Sequence, residues 1–214
     1  MNFKLLNKEF RLAAHPNLYI FSLMGPLLLV PAYPYTILFL FSCIGNYVNL
    51  MYSRETNDIY FTEMLPIKRS DVVKAKWQVL LISQAFMILF SIPFALIHGQ
   101  VFKTNNVAGI DANVAYYGFG LMILGIFNVF FLTEFFKTAY KAGIAFLMGI
   151  IPASLIAIAV EVLVHFPNFA WLDSISGSDQ LKQLPILVIG IIFYALMMWV
   201  AYKVSIKRFA KVNL

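Results

Sequence analysis

The sequence predicts an all-α, polytopic membrane protein with six transmembrane helices, and three observations carry that expectation. Of the 214 residues, 61% are hydrophobic and 12% charged, with a mean hydropathy of +0.80, which excludes an ordinary soluble domain. Apolar runs of about 20 residues, the length a bilayer requires, fill most of the chain. The 16 lysines and arginines gather at the ends of those runs rather than along them. A single membrane domain over 1–214 is therefore expected, with no soluble catalytic lobe. A net charge of +6 does not point to nucleic acid, because the basic residues sit where membrane topology explains them.

The elements follow in order. Residues 1–15 read as an amphipathic helix on the membrane surface. Phe3, Leu6 and Phe10 form one face, and Lys4, Lys8 and Arg11 fall on the other. The same charges, with Glu9, break up the N-terminus and argue against a signal peptide. Span one, about 18–30, is interrupted by Gly25-Pro26, so a kink is expected there. Pro31-Ala-Tyr-Pro34 is a turn, and span two covers about 35–53. Span three covers about 78–97 and is bent by Pro93, and a polar loop runs from Gly99 to Asn113. Spans four and five, about 114–136 and 143–164, flank a short basic link, with Pro152 near the middle of span five. The loop 165–184 precedes span six, about 185–202, and a basic tail.

The distribution of lysine and arginine sets the orientation. With both termini in the cytoplasm, 14 of these residues fall inside and only Lys103 and Lys182 outside. This places the polar stretch 54–77 in the cytoplasm and the loop 165–184 outside. The stretch carries nine charged residues from Arg54 to Lys76. Within it Tyr60, Phe61, Met64 and Leu65 recur at i, i+1, i+4, i+5, one face of a short helix. Thr56 or Asn57 is expected to cap it, Asp58 to sit in its first turn, and Pro66 to end it at Leu65. Ser70 is expected to cap the next helix, with Asp71 at its first position. A short amphipathic helix held between two spans suits a docking surface; lying on lipid headgroups is the alternative.

Catalytic chemistry is hard to find. His15, His98 and His165 are scattered, and Cys43 is the single cysteine, so no metal cluster or intrachain disulfide is expected. Gly120 and Gly125 have phosphate-loop spacing, but Ile126-Phe127 follows where Lys-Ser/Thr is needed. The chain is thus expected to be no enzyme and to have no ATP site of its own. Glu161, about 27 Å along span five from Gly143 at 1.5 Å per residue, lies with His165 near the outer boundary. They are candidates for an outer gate, and a carboxylate simply reaching the interface is the alternative. Ser42, Asn46, Asn49 and Ser53 form a stripe on span two, and Gln84, Ser91 and His98 recur every seven residues on span three. Both stripes must face protein or a wet cavity. Helix packing and a translocation path both fit, and for the path span two, with Pro152 and Ala157 of span five, is the better candidate.

The N-terminal helix, the six-span order, Asn57-Asp58-Ile59-Tyr60 and Leu65-Pro66-Ile67-Lys68-Arg69 together resemble the ABC-2-type permeases, the membrane subunits of ATP-binding-cassette exporters. The family typically shows a short helix, then Leu-Pro-(Val/Ile)-(Ser/Thr/Lys)-Arg, then the helix of span three. In size and motif the chain is similar to small bacterial permeases of phenol-soluble modulin exporters. The resemblance implies a cell-membrane protein that pairs with a second permease copy, alike or different. It implies a separate ATPase subunit, which binds ATP and magnesium and grips a coupling helix at Asp58, Ile59, Tyr60, Phe61, Glu63, Met64, Leu65, Pro66 and Arg69. It implies alternating access along spans two and five, and an extracellular cap built from 165–184. Apolar, aromatic-rich walls suit amphipathic or antimicrobial-type peptides or other lipophilic cargo. An ion-coupled secondary carrier and a non-transporting scaffold or immunity protein are the alternatives.

Overall fold

The computed structural model describes residues 3–101 and 106–212, and Lys103, one of the two cations expected outside, lies beyond them. All regular structure among the described residues is helical. Helix α1 (Phe3–Lys8) continues as a wider π-turn over Glu9–Ala13. Then come α2 (Pro16–Ser22), a 3-10 segment (Gly25–Leu29), α3 (Ile37–Glu55), α4 (Asp58–Glu63) and α5 (Arg69–Val101). Helices α6 (Val114–Thr138) and α7 (Ala142–Leu163), a 3-10 segment (Pro167–Leu172) and α8 (Gly177–Phe209) complete the chain.

Among the described residues four helices, α5 to α8, are long and apolar enough to cross a membrane. A fifth crossing is possible if Phe3–Ala13 and Pro16–Leu29 count as one span, although the two arms meet at 95°. The break expected at Gly25-Pro26 falls at Leu23–Met24, where α2 stops and the 3-10 turn begins. Helix α3 is long enough but less apolar than the four, and its burial explains why. None of its residues from Ile37 to Arg54 is exposed, so α3 meets protein rather than lipid and tolerates a polar stripe.

Helix α6 is the centre of the bundle. In its most apolar window 61% of residues are buried, against 17–33% for the other three spans. Asn113 starts it by accepting a hydrogen bond from the Tyr116 amide (3.0 Å). Ala139 ends it in the left-handed region (φ 54°), donating its amide to the Phe135 carbonyl. Phe127, Phe131, Phe135 and Phe136 form a fully buried aromatic spine that reaches Phe209 of α8. Where α6 crosses α8, a Cβ on Gly190 would lie 2.3 Å from the Gly118 carbonyl oxygen. The two backbones touch there, and only glycine fits.

The loops depart from expectation in three places. Asn57 stands before α4 in the left-handed region (φ 53°), which asparagine tolerates, and its side chain makes no capping bond. Ser70 does not cap α5, which begins one residue earlier at Arg69, with the Asp71 amide bonded to the Lys68 carbonyl. Helix α8 begins at Gly177, eight residues ahead of the expected span, because the loop before it is held by polar side chains of the bundle.

Candidate functional site

The short helix α4 sits between α3 and α5, and its two faces behave oppositely. Ile59 and Thr62 point into the protein, while Tyr60, Phe61, Met64 and Leu65 are between 45% and 63% exposed. The apolar quartet read from the sequence is thus an open surface. Beside it, Ser53, Arg54, Asn57, Ile59, Tyr60, Ala139 and Tyr140 line a cleft of about 80 Å³.

The inner face is fixed by charge. Lys76 of α5, 1% exposed, directs its ammonium at Glu9 Oε2 (2.5 Å), Asp58 Oδ2 (2.6 Å) and Ser53 Oγ (2.7 Å). Lys8 bridges the other oxygen of Asp58, Glu9 Oε1 (3.2 Å) and Thr62 Oγ1 (2.8 Å). Two cations and two carboxylates thereby balance, and they tie α1, α3, α4 and α5 into one joint. Burial alone would raise the Asp58 pKa, but the charge and hydrogen bond of Lys76, with those of Lys8, outweigh it and hold the carboxyl below its ordinary range.

Asp58 and Glu63, expected on the docking face, therefore belong to the bracing. Asp58 turns inward, and Glu63 pairs with Arg69 (Nε–Oε1 3.1 Å). Arg69 in turn donates to the Val212 carbonyl (2.8 Å), so the end of the chain after α8 is held against the start of α5. Pro66 lies in the exposed turn after α4. Lys8, expected on the polar face of the N-terminal helix, points at the protein as well.

The polar stripe of α3 is buried throughout and bonded within the chain. Asn46 donates to the Ser42 carbonyl (2.9 Å) and accepts from Ser83 Oγ (3.2 Å), Asn49 accepts from the His15 amide (2.9 Å), and Ser53 meets Lys76. In this structure the stripe packs α3 against its neighbours, and its last member, Ser53, also borders the cleft beside α4. The α5 stripe behaves likewise. Gln84 and Asn128 exchange amide hydrogen bonds (2.9 and 2.8 Å), Tyr194 donates to Gln84 Oε1 (2.8 Å), and Ser91 meets Tyr117 (3.0 Å). Ala157 is buried, and Pro152 lies half-buried within α7.

At the far end of α5 a second polar network closes the bundle. Tyr35 donates to the Val30 carbonyl (3.0 Å), so its oxygen accepts from His98 Nδ1 (3.3 Å). His98 Nε2 lies 3.3 Å from Asp111 Oδ1, and a proton must sit between them for the pair to attract. Burial pushes the Asp111 carboxyl above its ordinary pKa, against the amide of Asn106 and the charge of His98. Glu161 accepts from the Thr36 amide (3.0 Å), Thr36 Oγ1 (2.6 Å) and the Ile110 amide (2.9 Å). It latches α7 to the start of α3 and to the loop before α6, while His165 is exposed just beyond the end of α7.

Sequence reasoning missed Lys8, Glu9 and Lys76. One signal was available: Val72, Lys76, Val79 and Ser83 share a face of α5, so a lysine stands in the buried stripe.

A family model for ABC-2 family transporter protein matches residues 4–210. The chain belongs to that family. No curated protein and no solved structure matches it. The ABC-2 membership and the apolar helices make it an integral membrane protein, the membrane component of a transporter whose ATPase is a partner subunit.

Proposed function

We propose that this chain is the permease half of an ATP-driven exporter in the cytoplasmic membrane, with α4 as the coupling helix gripped by the ATPase. Six crossings complete the topology: the broken α2 segment to Leu29, then α3, α5, α6, α7 and α8. Both termini and α4 face the cytoplasm. The observation that carries this reading is the two-faced α4: four exposed apolar side chains lie on a helix whose other face is clamped by buried charge. Exposed apolar clusters mark interaction surfaces, and a push on that surface is transmitted because the helix cannot yield alone.

Two such permeases pair, alike or different, and the ATPases rock them between inward- and outward-open states. Cargo passes beside α7, where Pro152 loosens the helix and the exposed Ile151, Leu155 and Ile158 offer an apolar wall. Amphipathic peptides of the phenol-soluble modulin kind fit such a wall. Glu161 acts there as a latch that holds the outer end shut.

Co-purification tests the reading. Tagged wild-type permease, purified from its own cells, is expected to bring down an ATP-binding-cassette ATPase subunit. The double substitution Tyr60→Ala, Phe61→Ala is expected to lower that recovery at least tenfold while the permease remains monodisperse. Undiminished ATPase recovery with the double variant refutes the docking face.

A further inference from the structure

The bent N-terminus encloses a cavity that the transport reading does not use. Its volume is about 340 Å³, within the range of small-ligand sites. Phe10 lines it from the first arm; Leu18, Tyr19, Ser22 and Leu23 line it from the second; and Ile82, Ser83 and Phe86 of α5 close it. It therefore sits in the crook of the 95° elbow, where α1 is suited to the membrane interface and α5 to the membrane itself.

The three hydroxyls in its wall are already engaged. Ser22 Oγ donates to the Leu18 carbonyl (2.7 Å), Ser83 Oγ donates to Leu80 and Asn46, and Tyr19 donates to the Phe10 carbonyl. None needs an occupant as an acceptor, so what the wall rewards is hydrocarbon. The rim is open, because Tyr19, Leu23, Ile82 and Phe86 are each exposed. On the interfacial arm Glu9 is buried and paired, which leaves Lys4 and Arg11 as the exposed charges between residues 3 and 14. Arg11 directly follows Phe10. An acyl chain in the crook would carry its headgroup to this basic arm, where an anionic phosphate is favoured.

We infer that the elbow holds one phospholipid with an anionic headgroup, one acyl chain in the cavity and its phosphate at Arg11. Such a lipid is a resident of the bend, distinct from cargo, and it fills the space left between the elbow and α5 beside the packed Leu6, Leu18 and Val79. This needs only that the chain lies in a membrane, and it stands or falls separately from the docking face of α4.

The test uses the full-length protein, delipidated in detergent and titrated with phosphatidylglycerol or phosphatidylcholine of identical acyl chains, read by native mass spectrometry. One phosphatidylglycerol per chain is expected, held at least tenfold more tightly than phosphatidylcholine. Leu23→Trp and Ile82→Trp, which each put an indole into the crook, are expected to lower that affinity tenfold or more. Arg11→Gln, on the surface, is expected to abolish the headgroup preference. Equal retention of both lipids by the wild type, or unchanged phosphatidylglycerol binding in Arg11→Gln and either tryptophan variant, overturns the inference. So does a lipid-free dimer that buries Leu23, or displacement of the lipid by an amphipathic peptide. ATPase recovery from the same preparations shows whether a failure touches the transport reading.

Discussion

Replacing Lys76 with methionine isolates the joint beneath α4. The methionine keeps most of the volume and removes the charge. Three donors vanish: those at 2.5 Å to Glu9, 2.6 Å to Asp58 and 2.7 Å to Ser53. Lys8 is then left facing two carboxylates, one of them 2% exposed, so the site carries an uncompensated negative charge. Breaking one partner out of a buried ionic network costs about 3–5 kcal/mol. At roughly 2–4 °C per kcal/mol for a chain of this size, the melting temperature should fall by roughly 6–20 °C. Thermal melting of the detergent-purified protein, followed by tryptophan fluorescence, measures it. Adding Asp58→Asn restores charge balance and should recover much of the loss. Since the Asp58 carboxyl is held below its ordinary value of 3.8, its contribution is complete at any pH above that and fades only as acid falls through the lowered value. The wild type's own contribution from this group should therefore be the same at pH 6 and pH 8. A drop of less than about 2 °C in Lys76→Met, under 1 kcal/mol on the same scale, would refute the idea that buried charge holds α4.

Three further outcomes are expected. Glu161→Gln turns an amide NH₂ toward one of three donors and should cost about 1–3 kcal/mol. Gly109→Ala should mimic it, because a Cβ there lies 1.6 Å from Glu161 Oε2 and must expel the carboxylate; melting of the two variants side by side checks this. Folding raises the Asp111 pKa above 3.8, so the ionised form opposes the fold at neutral pH and the wild type gains stability as pH falls toward 3.8. Asp111→Asn should accordingly melt higher than wild type at pH 7.5, with the gap closing toward pH 4. Ala139→Gly relieves a left-handed alanine and should stabilise the protein by about 0.5–1 kcal/mol, read in the same melting assay.

Helices α6 and α7 were legible from apolar length alone, each within about two residues of the expected spans 114–136 and 143–164, and α5 contains the expected 78–97 but begins at Arg69. The exposed quartet of α4 was legible too, because i, i+1, i+4, i+5 spacing fixes a helical face without tertiary information. The joint behind it was not. Lys8 looks like a member of the polar stripe of the first helix, and an acid at position 9 looks like one more surface charge. Yet Glu9 stands at i+4 from Leu5 and i+3 from Leu6, on their buried face, and meets a lysine 67 positions away. Periodicity reports which residues share a face; it cannot report what that face meets. For the same reason the stripe of α3 could be read as a wall or a seam, and periodicity could not name the partners Ser83, His15 and Lys76 that its side chains meet.

The glycine crossing of α6 and α8 bears on where motion can occur. Two rods whose carbonyls and Cα atoms already abut at Gly118 and Gly190 cannot ratchet past one another without driving a side chain into backbone. They form a stationary pillar. Any stroke delivered at α4 has to be absorbed by the other half of the molecule, where α3 and α5 meet through serine, asparagine and lysine side chains that can exchange partners as they slide.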